Sequence, residues 1–255
     1  MTEEYNCFVT NVAYHDRSVY ISTTSQHNSI MKFATNDDGK ITGPPEFIKG
    51  FSKGKIKFIG FIKDKIALIP RNSFNIYLLD QSNKKHDVIT IKHSIIDAIT
   101  SKNNSVCKDE KCYHLIGFVQ YYGFNIFVQL SCKHKNDQLL YVIKGNLKGA
   151  DVDGLDVTNE YNFNRLCLDN GLNENYVRSL HFSGLHYADN KVNLITTDNN
   201  RCDLWEMEYF NNISYLAPPK LVSNLKMQAR GLYSYNGKKI ILSREMNEGI
   251  NYFTC

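Results

Sequence analysis

No stretch of the 255-residue chain approaches the roughly eighteen consecutive apolar residues that span a bilayer. The first residues, Met1-Thr2-Glu3-Glu4-Tyr5, are acidic and carry no apolar core of a secretory signal, so the sequence reads as cytoplasmic. Single-sign charge is also lacking: thirty Lys and Arg oppose twenty-six Asp and Glu, leaving a net charge of +4. That is well short of the concentrated positive charge of a nucleic-acid protein, so neither nucleic acid nor membrane insertion is expected. There is no G-x-S-x-G elbow, no Walker-type glycine loop, and no G-x-G-x-x-G between a strand and a helix. Their absence removes the commonest acyl-transfer and nucleotide-binding chemistries and implies no cofactor. The seven cysteines (7, 107, 112, 132, 167, 202 and 255) are odd in number and unpatterned, which fits reduced thiols better than a disulfide framework.

What the chain has is aromatic and β-branched sequence in short runs. Sixteen Tyr and fourteen Phe make most of the 12% aromatic share, a composition that suits strands. One pattern occurs five times: an apolar strand, a tight Asp, Asn or Gly turn, a second apolar strand, a polar loop and a third strand. The first copy runs Val12 to Thr24 and Asn28 to Phe33, and the second Ile59 to Ile69 and Asn75 to Leu79. The third runs Ile116 to Leu130 and Gln138 to Ile143, and the fourth Leu185 to Thr197 and Asp203 to Met207. The fifth runs Leu232 to Ser243 and Gly249 to Phe253. The first turn of each copy falls at Asp16-Arg17, Lys63-Asp64, Tyr122-Gly123, Asp189-Asn190 or Asn236-Gly237, mostly residues that tolerate left-handed backbone. Fourth strands follow at Glu46-Ile48, Asp87-Ile91 and Lys220-Val222, the first and last of these after Pro-Pro pairs.

An all-strand repeat of about fifty residues resembles β-propeller proteins in general. The Gly-His and Trp-Asp pairs of WD40 repeats and the glycine doublets of kelch repeats are absent. The resemblance implies one all-β domain over 1–255: a five-bladed propeller of four-stranded antiparallel blades. The blades fall near 10–50, 55–92, 93–148, 176–224 and 226–255. Residues 5–9 are expected to complete the last blade and close the ring, which removes open edges. Two stretches interrupt the repeat. One is polar, 101–112; the other, 148–176, holds several Asp and Asn and a helical turn near Asn164–Leu168.

Loops joining second to third strands emerge on one face of a propeller, together with the blade-to-blade connections. They offer His27, Asn28, Arg71, Asn72, His134, Asp198, Asn199, Arg201 and Arg244, and the connections add Lys53, Lys55, His93, Arg178 and Arg230. Guanidinium, imidazole and amide groups in such a set suit carboxylate, phosphate or hydroxyl-rich ligands. The expected function is therefore a non-enzymatic interaction module that takes a protein or peptide partner on this face. A carbohydrate-binding lectin is the alternative, with Tyr20, Tyr77 and Tyr141 as candidate platforms; in size the chain resembles the small five-bladed lectins. A hydrolase with a funnel site is the third reading, and the innermost strands supply no carboxylate pair for it. A zinc site drawn from Cys107, Cys112, Cys132 and His134 and a calcium loop at Asp151–Asp156 are weaker alternatives to ordinary loop residues. Trp205 is expected to pack between blades.

Overall fold

The structure is a computed structural model that describes residues 9–23, 30–48, 51, 55–80, 86–102, 110–120, 123–132, 137–148, 151–188, 190–198, 201–210, 215–225, 229–235, 238–245 and 249–254. From 225 onward only the backbone is described. Its strands form five antiparallel sheets that follow one another along the chain. The first sheet is a meander of β1 (Val9–His15), β2 (Ser18–Thr23), β3 (Ile30–Ala34) and β4 (Glu46–Ile48). The second repeats the order with β5 (Ile56–Ile62), β6 (Lys65–Pro70), β7 (Asn75–Leu79) and β8 (His86–Thr90). Helix α1 (Lys92–Lys102) leads to the third, built from β9 (Tyr113–Gln120), β10 (Phe124–Cys132), β11 (Asp137–Lys148) and β12 (Asp151–Asn162). Helices α2 (Phe163–Asp169) and α3 (Glu174–Ser179) precede the fourth. That sheet holds β13 (His181–Ala188), β14 (Lys191–Thr197), β15 (Cys202–Phe210), β16 (Tyr215–Leu216) and β17 (Lys220–Leu225). The fifth sheet holds β18 (Ala229–Tyr235), β19 (Lys238–Glu245) and β20 (Gly249–Thr254).

Successive meanders whose first strands lie side by side make this an all-β β-propeller. Strand β5 lies against both β1 and β9, β13 against β9 and β18, and β18 against β1. The sheets pack face to face, so a middle strand such as β6 is buried on both sides: Ile66 to Ile69 are fully covered. Each such Ile or Leu contributes about 1.5–3 kcal/mol on leaving water. One apolar core joins the second, third and fourth sheets, and a second core joins the first and second. Gly117 shows how close the first strands come. A Cβ there would lie 2.6 Å from the Phe58 ring of β5 and 3.0 Å from Leu185 of β13.

The first hairpin turns take the strained conformations their residues suggest. Asp16 and Arg17 have φ of 43° and 53°, Lys63 has 54° and Asn190 has 60°. Positive φ at both central residues matches the twist of a two-residue hairpin. Trp205 is completely buried, edge-on to Phe163, with its indole N–H donating to Thr196 Oγ1 at 2.7 Å.

Three expectations need correction. Four blades have four or more strands, whereas the fifth sheet has three among the described residues, so the expected five equal blades are not found. Val9, expected in a strand closing the last blade, instead opens β1 and pairs with Thr23 of its own sheet. Residues 5–8 lie outside the described residues. Most of the stretch 148–176 is not an insertion. Residues Asp151–Asn162 are the fourth strand of the third blade, paired with β11, and Phe163–Asp169 form a helix capped by the Asn162 side chain. Within 101–112, Ser101 and Lys102 finish α1, whose Ile95 and Ile99 are buried, and Glu110–Cys112 make a 3₁₀ turn; 103–109 lie outside the described residues.

Candidate functional site

Three basic residues share one spacing before a glycine on three successive inner strands. Lys57 is three residues before Gly60 in β5, His114 three before Gly117 in β9, and His181 three before Gly184 in β13. Each lies at the beginning of its strand, and the three strands are neighbours, so one end of the inner strands gathers all three. Strand pairing explains why Lys57 stands apart from the apolar residues around it. The register passes from Ile56 opposite Pro70 to Phe58 opposite Ile69, leaving Lys57 as the extra residue of a β-bulge. Bulges re-aim side chains and are frequent beside functional sites. Arg71 follows directly after β6, and its backbone N–H donates to the Lys55 carbonyl at 2.8 Å, which fixes it beside the same strand end.

The charges of this group act on one another. Burial, then the nearby Arg71 guanidinium, pushes the Lys57 ammonium down from 10.5 to about 8. The His114 imidazole is lowered by burial first, then by Lys57 and His181. His181 is lowered by burial, Lys57 and Arg71; its side chain keeps solvent exposure by area, so the protein around it, rather than full enclosure, limits its hydration. Among the described residues no carboxylate contributes to the field at any of the three.

Beside them opens a cleft of about 690 Å³ between the second and third blades. Lys57 and His114 form its inner wall, while Lys92 and His93 at the start of α1 and Lys111 add basic groups. The β6–β7 loop contributes Asn72 (φ 59°), and Phe74 and Leu115 give it an apolar component. No Asp or Glu is among the described residues that line it. The arrangement can draw in an anion, orient it with amide and imidazole donors, and cover its carrier with apolar surface.

The predicted residues divide. Arg71 and Asn72 lie at this cleft or its edge, and His93, predicted from a blade connection, lines it. Arg201 is placed elsewhere: its guanidinium bonds Asp203 Oδ1 at 2.9 Å and lies 4.9 Å over the Tyr176 ring, holding a fully buried carboxylate in the fourth blade. The Asp203 carboxyl is raised by burial, against the opposing pull of the Tyr176 and Arg201 bonds. Asp198 closes the turn before β15 by accepting from the Arg201 backbone N–H at 2.9 Å. Arg244 lies in β19, opposite Ile250, rather than in a loop. His27, Asn28, His134 and Asn199 lie outside the described residues.

The other candidates fare as follows. Of the proposed lectin platforms, Tyr20 and Tyr141 are buried core residues, and Tyr77 packs edge-on to Phe51. The run Asp151–Asp156 is strand, not a cation loop, and Asp153 is paired with Lys148 at 2.6 Å. Cys112 is half-buried; Cys107, His134 and the Cys132 side chain lie outside the described residues. Among the described residues no three His, Cys, Asp or Glu are grouped to hold a metal ion.

Sequence reasoning passed over Lys57, His114 and His181 because each stands in a strand that otherwise reads as core. The repeated spacing was the available signal: Lys57-Phe58-Ile59-Gly60-Phe61 matches His114-Leu115-Ile116-Gly117-Phe118, and His181-Phe182-Ser183-Gly184-Leu185 keeps the basic residue and the glycine.

No family model matches the chain, and no curated protein matches it in sequence. Among solved structures it is similar to a chain of the nidogen/laminin complex, with 10% identity and a TM-score of 0.48 over 92% of this chain and 72% of that one. It is also similar to the Dos1 propeller, at 10% identity and a TM-score of 0.38 over 93% of this chain and 53% of that one. A third is Hsv2 of Kluyveromyces lactis, at 8% identity and a TM-score of 0.39 over 98% of this chain and 61% of that one. The chain thus spans between about half and three quarters of the length of these structures.

Proposed function

We propose that the chain is a non-enzymatic binding module that takes a protein or peptide partner at the cleft between its second and third blades. The observation that carries this reading is the cleft itself. It combines basic groups, amides and apolar side chains on the face where the β6–β7 loop and the β8–α1 connection meet. A volume of about 690 Å³ lies in the range of ligand-binding clefts, and its mixed lining suits an extended segment with acidic and apolar side chains. Supporting the non-enzymatic part, the described inner strands carry no Asp or Glu, and the buried Asp203 is held by Arg201.

In the same reading the five sheets form one domain, closed into a ring. Its support is the packing of β1 against both β5 and β18, which brings the first and last sheets together. No described helix is long and apolar enough to cross a membrane, and the buried Cys167 is a thiol. A reducing, cytoplasmic setting agrees with that thiol.

Site-specific photo-crosslinking tests the proposal. A photoreactive residue at Asn72 reports on the cleft face. One at Asp64, in the turn at the far end of β5 and about 20 Å away by strand length, reports on the opposite face. In a lysate of the source cells, crosslinks to a protein from Asn72 and not from Asp64 are expected. Crosslinks from Asp64 alone would overturn the reading.

A further inference from the structure

We propose that Lys57, His114 and His181, with Arg71 beside them, form a seat for a phosphate monoester carried on a phosphorylated side chain of the partner. This rests on the binding reading above and names what the cleft recognises. The first ground is geometry. Lys57, His114 and His181 stand near the starts of three neighbouring strands, and Lys57 and His114 line the same cleft. Arg71 is held at the same strand end by its backbone bond to Lys55. A phosphate monoester presents three strong acceptor oxygens and close to two negative charges, which matches such a set. A carboxylate offers two oxygens and one charge, and would leave most of the group uncompensated.

The second ground is charge. The cations at this strand end are Lys57 from β5, Arg71 after β6, His114 from β9 and His181 from β13; Lys92, His93 and Lys111 stand around the adjoining cleft. No described carboxylate lines the cleft or acts on the three titrating groups. Repulsion among Lys57, Arg71, His114 and His181 destabilises the empty protein, and a bound dianion would offset it. The depressed Lys57 and His114 add a consequence. An anion restores their protonated forms, so binding takes up protons and is tighter at lower pH. A phosphopeptide reaches the seat because the cleft adjoining it, with Phe74 and Leu115, has room for flanking residues.

The test uses the full chain and degenerate peptide pools with a fixed central phosphoserine, serine or glutamate, measured by fluorescence anisotropy. The phosphoserine pool should bind at least about tenfold more tightly than either other pool. That preference should fall about tenfold in Lys57→Met and severalfold in His114→Gln, and weaken severalfold from pH 6 to pH 8. Equal binding of the glutamate and phosphoserine pools would overturn the proposal, as would full retention of the preference in Lys57→Met. Inorganic phosphate competing as well as the phosphoserine pool, mole for mole, would also overturn it, by showing that a free small anion suffices. The broader reading fails separately: crosslinks from Asn72 that survive Lys57→Met and phosphatase treatment would sink the phosphate seat while leaving the protein-binding cleft in place.

Discussion

Replacing Lys57 by methionine removes a charge from the cleft wall while nearly keeping the length of the side chain. In the unfolded chain that ammonium has the ordinary value of 10.5, and in the folded protein about 8. The unfolded state therefore binds the proton more tightly across that interval. Stability attributable to this group rises as pH climbs from about 8 to about 10.5, and the full penalty stands below 8. A drop from 10.5 to about 8 corresponds to about 3 kcal/mol at pH 7. Methionine also removes the repulsion from Arg71, but its thioether must fit a partly polar wall, so a net gain of about 1–3 kcal/mol is expected. Trp205, completely buried and the only tryptophan, serves as the fluorescence probe of urea unfolding. Wild type and Lys57→Met should differ most at pH 7 and converge as pH approaches 10. His114 and His181, which Lys57 also lowers, are mostly deprotonated above pH 7 in both proteins, so the pH dependence above pH 7 reports Lys57. A variant less stable than wild type at pH 7, or a gap that does not narrow with pH, would refute the reasoning. The same variant is expected to lose the phosphopeptide preference, so binding and stability should move in opposite directions, as they do where a site holds uncompensated charge.

Two further perturbations probe the scaffold that holds the cleft. Gly117→Ala places a methyl 2.6 Å from the Phe58 ring and should cost about 1–3 kcal/mol in urea unfolding; Phe58→Leu should relieve part of that cost, and strict additivity of the two changes would show that the inner strands do not meet there. Thr196→Val keeps the shape but strands the Trp205 indole N–H, which Thr196 meets at 2.7 Å, and removes one partner, at 3.0 Å, from a Tyr176 hydroxyl that keeps its bond to Asp203; a loss of about 1–3 kcal/mol with altered Trp205 emission is expected, and an unchanged midpoint would mean the network contributes nothing.

Much of the fold was legible because blades are local. Each is a hairpin or meander whose alternation and turns lie within one stretch of chain, so Asp16-Arg17 and Asn190 could be read as turns and are found with positive φ. The errors come from stretches where two structures share one pattern. The isoleucines at 95 and 99 stand four apart, the spacing of one helix face, but follow directly on β8 and were absorbed into the strand-rich repeat. Strand β12 was hidden by its own edge position. Asp151 and Asp156 are exposed, Asp153 meets Lys148, and only Val157, Asn159 and Tyr161 show inward alternation. An outer strand with charged residues avoids pairing with other chains, and that composition imitates a loop.

The site was less legible than the fold because it belongs to no single blade. Polar residues in loops, such as Arg201 and Asp198, looked like binding groups, yet both are spent on structure: one holds Asp203, the other closes a turn. The basic residues at the cleft end lie in strands instead, 57 and 67 positions apart in sequence, and each alone is one polar residue in an apolar run. What brings them together is the register of the repeat. Lys57, His114 and His181 each stand three residues before a glycine near the start of their strands, and those strands are neighbours, so the repeat brings all three to the same end of the inner strands. The bulge at Lys57 then turns a core position into a wall of the cleft. In a repeat fold, a polar residue recurring at one phase of the innermost strand therefore carries more information about a site than a richer cluster in a loop. The phase fixes proximity across blades, and the loop composition does not.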